Sequence, residues 1–133
     1  MSAGDLRVVL VTPETTVLDQ TVTSVRFPLF DGQIGARPGR APLVGRLGSG
    51  ELTMSLPSGE SSNYFIDGGF AQIKGSVISI LTNRAMPSSD LTVQQADAEL
   101  EEARSRVAHS DEEFEARQES MDRARRMRSI AQR

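Results

Sequence analysis

The residues able to do chemistry are few and scattered. His109 is the only histidine and cysteine is absent, so no tetrahedral metal site can be assembled around it, and it reads as a solvated turn residue between helices. Asp67 precedes Gly68, Gly69 and Phe70, a carboxylate beside two glycines, which is the composition of a turn or bulge. Ser61 and Ser62 have no base near them in the sequence. The stretch GQIGARPG superficially evokes a phosphate-cradling loop, but no Lys-Ser or Lys-Thr pair follows it and no long helical pattern opens behind it. No triad, metal cluster or carboxylate dyad emerges. The expectation is therefore a chain with no catalytic residue, no metal and no cofactor, and one that is not an enzyme by itself.

The elements that carry these residues are bounded by size and composition. A chain of 133 residues, 38% of them hydrophobic, can form one small core plus an appendage but not two full domains. Zero cysteines remove disulfide frameworks and thiol nucleophiles together. The opening MSAGDLRVVLV places an acid before a short apolar run, unlike a signal peptide, and no apolar stretch approaches the ~20 residues that span a bilayer. The expectation is a soluble, intracellular chain. A net charge of −3 argues against nucleic acid, whose phosphates call for a basic surplus.

Composition changes sharply near RAMPSSD. Up to Pro87 the chain is written in short β-type runs (LRVVLV, TVTSVRFPLF, ELTMSL, NYFIDGGFAQI, SVISILT) broken by Gly, Pro, Ser or Asn, which predicts an antiparallel β-sandwich or barrel over residues 1–87. Five of the six aromatic residues lie here, so this part holds the core. Beyond Ser88 there is neither Gly nor Pro. Val93, Ala96, Leu100, Ala103 and Val107 recur at intervals of three and four, one stripe of a helix that opens at Thr92 with Gln95 reaching back. Ser110 and Glu113 repeat that spacing before Phe114, Met121 and Ala124. Residues 88–133 are thus predicted to form an antiparallel two-helix hairpin, so the fold class is β + α. Its seam is mostly Ala, with Arg117 and Arg128 at two stripe positions. Since a buried Leu contributes ~2–5 kcal/mol more than Ala in a full core, the hairpin should hold together only loosely.

Charge follows the same boundary. From Ser88 onward there are eleven acids against eight arginines, leaving seven and seven of the 18 and 15 for the β part. Acids crowd the first helix (Asp97, Glu99, Glu101, Glu102), and arginines the end of the second (Arg123, Arg125, Arg126, Arg128, Arg133). This arrangement suits the helix dipole, and it also suits an acidic protein partner. Residues 31–50 specify shape and little reactivity. Their glycines and prolines permit tight turns that pin Ile34, Leu43, Val44 and Leu47 inward, as an ordinary set of rigid turns or as a docking edge.

The segments VVLVTPETTVLDQTVTSVRFP, DGQIGARPGRAPLVGRLGSGELTM and YFIDGGFAQIKGSVISILTNRA, followed by the helical tail, resemble in order the epsilon subunit of bacterial and chloroplast rotary F-type ATP synthases. The family pattern EGELGILPGHAPL falls on Asp31 to Leu43, and its GGF segment on Gly68, Gly69 and Phe70. The resemblance implies a sandwich that binds the foot of the gamma subunit and rests on the membrane c-ring. It implies a docking loop carrying Asp31, Gly32, Gln33, Ile34, Gly35, Pro38, Gly39, Arg40, Ala41 and Pro42, with Gln33 where a Glu is usual and Arg40 where a His is usual. It further implies a tail that extends along gamma toward the alpha/beta catalytic hexamer and restrains ATP hydrolysis, with Arg123, Arg125, Arg126 and Arg128 as contacts. Many relatives bind ATP through a DxxRA motif. Here it reads Thr92-Val93-Gln94-Gln95-Ala96, which lacks both the Asp and the Arg, so Thr92 and Gln95 are left at a degenerate site and ATP binding is expected to be weak or absent. The location implied is peripheral, at the cytoplasmic face of the bacterial inner membrane or on the stromal side of the thylakoid. A free-standing adaptor that binds some other protein through sandwich and hairpin is the alternative, and an enzyme or small-molecule sensor using the sandwich interior is a further one.

Overall fold

Alternation with period two builds the first part of the chain, because successive side chains of a strand point to opposite faces. In Leu6–Val11 the residues Leu6, Val8 and Leu10 are buried, and in Ser49–Ser55 it is Gly50, Leu52 and Met54. The computed structural model describes residues 5–133. These fall into two compact units, one running through Met86 and one from Pro87 to Arg133. The strands are β1 (Leu6–Val11), β2 (Thr16–Val22), β3 (Ser24–Leu29), β4 (Gly32–Ala36), β5 (Leu43–Arg46), β6 (Ser49–Ser55), β7 (Ser61–Asp67), β8 (Phe70–Lys74), β9 (Val77–Leu81) and β10 (Ala85–Pro87). They form two five-stranded sheets, ordered β2-β1-β9-β8-β5 and β10-β7-β6-β3-β4.

The sheets face each other as a sandwich. Leu6, Val8, Leu10, Ala71, Ile73, Ile78 and Ile80 from the first sheet meet Val25, Phe27, Leu52, Met54 and Ile66 from the second in one buried cluster. Truncating any one of the larger of these to Ala costs ~2–5 kcal/mol. Among the described residues the pairs β1–β2, β3–β4, β3–β6, β5–β8, β6–β7 and β8–β9 are antiparallel, as expected, whereas β1 lies parallel to β9 with Val8 opposite Ile78. On the outer face of the first sheet, Arg7 grips Asp19 of β2 with two hydrogen bonds, 2.7 and 2.5 Å, and this grip holds the Asp19 carboxyl below its ordinary range.

Residues 31–50 are not one loop. Gly32–Ala36 pairs with β3, from Leu29 opposite Gly32 to Val25 opposite Ala36, and forms the edge of the second sheet, while Leu43–Arg46 pairs with β8 at the edge of the first. Between these two strands residues 37–42 are irregular, carrying the chain from one sheet to the other. Ile34 and Leu43 pack against the core and Leu47 is buried, as expected. Val44 instead faces outward at 72% exposure, because the strand alternation that turns Leu43 inward turns its neighbour out.

The chain crosses between sheets again at Gly68 and Gly69, with φ of +69° and +101°. Here the Gly69 carbonyl accepts from the Leu47 N–H (2.8 Å) and the Gly68 N–H donates to the Gly48 carbonyl (3.1 Å). A Cβ on Gly69 would stand 1.8 Å from the Leu81 carbonyl oxygen. The two glycines are there for close approach, and Asp67 is held by its backbone, its N–H donating to Thr82 Oγ1 (3.0 Å) and to the Arg84 carbonyl (3.1 Å).

The second unit begins with a single 3-10 turn at Ser88–Asp90, followed by α1 (Val93–Ser105) and α2 (Asp111–Ala131). Both caps fall where the sequence places them. Thr92 Oγ1 accepts from the Gln95 N–H at 3.0 Å and Ser110 Oγ from the Glu113 N–H at 3.1 Å, satisfying donors that a helix start leaves unpaired. The Glu113 carboxylate reaches back one residue beyond the cap, to the His109 N–H at 2.6 Å. The seam joins Leu100 and Ala103 of α1 to Met121 and Ala124 of α2. Two expected stripe members face solvent: Val107 is 72% and Phe114 53% exposed. The cause is that α1 ends at Ser105, where Arg106 turns to an extended backbone (φ −69°, ψ 137°), so Val107 sits in the connection and no helical face continues to meet Phe114.

Candidate functional site

Two surfaces of the sandwich stand out, and the hairpin carries a third set of groups. The first surface is built by a turn. Arg37-Pro38-Gly39-Arg40 has Pro second, Gly third with φ +89°, and the Arg40 N–H donating to the Arg37 carbonyl at 3.2 Å, the signature of a type II β-turn. Its two outer residues are arginines, both exposed. Beside them, the ladder places Arg26 of β3 between Gly35 of β4 and Thr53 of β6. Together with Ser24, Pro38, Gly39 and Ser55, these residues line an open groove of ≈640 Å³ across one end of the second sheet. Of the docking residues expected from the sequence, Gly35, Pro38, Gly39 and Arg40 line this groove. Asp31, Gly32 and Gln33 are exposed at the start of β4, Ile34 is turned to the core, and Ala41 and Pro42 are exposed before β5. Arg26 and Arg37 were not among the expected site residues. For Arg26 the available signal was its place between buried Val25 and Phe27, which faces it outward.

The second surface is apolar and belongs to the first sheet. The register sets Val11 beside Leu81, Leu81 beside Phe70 and Phe70 beside Arg46, making a row straight across four strands. Phe70 and Leu81 are 59% and 52% exposed. At the end of the row the Arg46 guanidinium lies 4.3 Å from the ring centroid of Phe30, itself exposed. An outward apolar row of this kind across a sheet is a feature of interaction surfaces.

In the hairpin, the four arginines expected as contacts lie on α2. Arg125 pairs with Asp122 one turn earlier (3.3 Å), while Arg128 Nε reaches Asp97 Oδ1 on α1 at 3.0 Å. The Arg117 Nη2 donates to the Arg104 carbonyl (3.2 Å), and Arg106 bonds to both Glu102 and Ser120. These clasps run from one end of the hairpin to the other and fix it as antiparallel. At the positions of the degenerate nucleotide motif, the Thr92 hydroxyl is engaged as a helix cap and Gln95 offers only its backbone N–H to that bond.

No catalytic constellation forms among the described residues. Among the described residues there is no group of three or more His, Asp or Glu placed to hold a metal ion. Ser61 and Ser62 lie on β7 opposite Ser55 and Met54, away from any histidine of their own unit, which has none. No described helix is long and apolar enough to cross a membrane.

The comparisons agree with this arrangement. A family model described as the beta-sandwich domain of the ATP synthase delta/epsilon chain matches residues 5–88. The ATP synthase epsilon chain of Rhodopirellula baltica is 42% identical over 120 residues, covering 90% of this chain and 93% of that one. The epsilon chain of Carboxydothermus hydrogenoformans is 34% identical over 106 residues, 80% of this chain and 78% of the other. Among solved structures, a chain of the Euglena gracilis mitochondrial ATP synthase superposes with a TM-score of 0.83 at 21% identity, covering 95% of this chain and 81% of that one. A central stalk and c-ring structure from Tetrahymena thermophila gives 0.76 at 13%, with 95% and 96% covered. At such identities these two likenesses establish the fold. With the sandwich matched throughout and an epsilon chain aligned over nearly its whole length, this chain belongs to the family of ATP synthase epsilon chains.

Proposed function

We propose that this chain is a non-catalytic central-stalk subunit of a proton- or sodium-translocating ATP synthase. Residues 1–87 are its dock on the gamma subunit and the c-ring, and residues 88–133 restrain ATP hydrolysis by the alpha/beta hexamer. Its place is peripheral, on the cytoplasmic face of a bacterial inner membrane. In support of docking, the sandwich presents two chemically distinct surfaces, the basic groove around Arg37 and Arg40 and the apolar row through Phe70 and Leu81.

The observation that carries the regulatory half is the construction of the hairpin seam. It joins Leu100, Ala103, Met121 and Ala124 in one small cluster, with Ala96 and Met127 as the other buried side chains of α1 and α2, and the cross-helix ion pair of Arg128 with Asp97 is about half exposed on both sides. An exposed pair contributes ~0–1 kcal/mol, and an Ala-lined seam buries little apolar surface. Opening the two helices therefore costs little, and a partner that binds the open form better can draw the equilibrium to it. In opening, Arg128 exchanges Asp97 for a partner carboxylate, while Arg125 keeps Asp122 within its own helix.

Steady-state ATP hydrolysis by the catalytic complex, reconstituted with the full chain or with a chain truncated after Ser89, tests the reading. Restraint that vanishes on truncation while gamma binding persists is the expected result. Equal activities would remove the regulatory role, and loss of gamma binding by the truncated chain would remove the division of labour. The isolated subunit is expected to show no saturable binding of ATP at micromolar concentrations, since Thr92 and Gln95 supply neither a carboxylate nor a guanidinium, each worth ~1.5–3 kcal/mol in charge-assisted hydrogen bonds.

A further inference from the structure

We propose that the groove between Arg26, Arg37 and Arg40 seats a carboxylate-bearing polypeptide segment of the assembly on which the sandwich docks. The proposal rests on the docking reading and adds to it the chemistry of the partner at that surface.

Two independent features bring the arginines to one groove, and a third leaves it open. The ladder puts Arg26 beside Gly35, a neighbour without a side chain, so nothing from β4 covers its guanidinium. The type II turn puts Arg37 and Arg40 at its first and fourth positions, whose Cα atoms lie within ~7 Å of each other, and Pro38 with Gly39 holds that spacing before any partner arrives. The floor is open: a Cβ built on Gly35 would meet only the Val25 carbonyl oxygen, at 4.0 Å.

The charge of the groove is one-sided. Its lining holds three guanidiniums, the hydroxyls of Ser24, Thr53 and Ser55, and no carboxylate. Among the described residues these three arginines take part in no ion pair, whereas Arg7, Arg104, Arg106, Arg125 and Arg128 all do. The groove is basic on a chain whose net charge is −3, so its sign is a local property. Planar guanidinium forks match carboxylates in bidentate geometry, and an acid from outside adds the opposite charge that the groove itself lacks. The groove crosses β4, β3 and β6 at one end of the sheet. It is a concave site suited to a protruding loop, whereas a bilayer surface is met by a flat or convex cationic face.

The test is association of the full-length chain with the ATP synthase assembly from which this subunit has been removed, followed at low and high salt. For the unmodified chain, the association rate should fall several-fold between about 50 and about 300 mM salt, as the Debye length shortens. The triple variant Arg26→Gln, Arg37→Gln, Arg40→Gln should associate roughly tenfold more slowly at low salt and lose most of the salt dependence, as removal of rim charges does. Gly35→Glu provides a second arm, since it places a carboxylate within the groove and should slow association comparably. All four positions are exposed, and unchanged circular dichroism and melting temperature establish that the variants fold. A triple variant that associates as the unmodified chain does overturns the proposal while leaving docking intact. An unmodified chain that does not associate at all overturns the docking reading and the proposal with it. Binding to vesicles containing phosphatidylglycerol that is lost in the triple variant, with association to the assembly unaffected, also overturns it and assigns the groove to the membrane.

Discussion

The Arg128 guanidinium lies 3.0 Å from the Asp97 carboxylate and ties the last turns of α2 to the start of α1. Under the proposed function, opening of the hairpin releases this Nε–H from Asp97 and leaves the whole guanidinium fork for a partner's carboxylate, so the pair is a measure of the switch. Replacing Asp97 by Asn or Arg128 by Gln should each lower the stability of the hairpin by less than ~1 kcal/mol, with a coupling of ~0.2–1 kcal/mol in the double-mutant cycle. Thermal unfolding of the full chain and the three variants reads this directly. Under the proposed function, Asp97→Asn should also deepen the restraint on hydrolysis, because it frees Arg128, and Arg128→Gln should weaken it. Movement of the two in the same direction would detach the pair from regulation.

Leu100 is the one branched aliphatic side chain of the seam, packed with Ala103, Met121 and Ala124. Leu100→Ala should cost ~2 kcal/mol, the low end for such a truncation because so small a seam can collapse around the gap. The loss should be confined to the hairpin, appearing as faster amide hydrogen exchange across Val93–Ala131 with exchange in the β1 and β9 amides unchanged. Equal acceleration in both units would mean that the seam is not a separate cooperative element.

Local features of this architecture were legible in the sequence, and long-range ones were not. Thr92 and Ser110 announced their helices because capping depends on residues three apart. The strand faces were legible because alternation is local, as in Val25, Arg26 and Phe27. The end of α1 was not: Arg106 leaves the helix while bonded to Glu102 and Ser120, and an apolar period running on to Val107 carries no mark of that. Nor could alternation reveal that β1 takes β9, some seventy residues away, as a parallel neighbour. The basic groove fell into the same gap. Arg37 and Arg40 are neighbours by their turn, but Arg26 joins them only through the register that places it beside Gly35.

The paired glycines of the sheet crossing differ sharply from Gly35, and the contrast is measurable. Gly69 has φ +101° and a Cβ there would collide with the Leu81 carbonyl oxygen at 1.8 Å, whereas Gly35 lies in a strand with open space beside it. Gly69→Ala should therefore destabilise the sandwich by more than ~3 kcal/mol, through both backbone conformation and the displaced strand β9. Gly35→Ala should stay within ~0.5 kcal/mol, as an unhindered surface change does. Chemical denaturation of the two variants decides this, and similar losses at both positions would contradict the crossing geometry.

Glu102 gives the hairpin a dependence on acid. Two hydrogen bonds from Arg106, 2.9 and 2.5 Å long, hold its carboxyl below the ordinary value of 4.5, with desolvation acting the other way and the opposite charge adding to the shift. A carboxyl depressed in the folded state favours folding above its unfolded value and loses that contribution as pH falls through the folded one. The grip of Glu102 on Arg106 should therefore be intact at neutral pH, begin to weaken below pH 4.5, and be gone once the carboxyl is protonated. A carbon-13 titration of the Glu102 carboxyl should show a midpoint under 4.5 in the unmodified chain, moving up in Arg106→Gln. Because both groups are exposed to solvent, added salt should shrink the difference. An unchanged midpoint in Arg106→Gln would show that the guanidinium is not the cause.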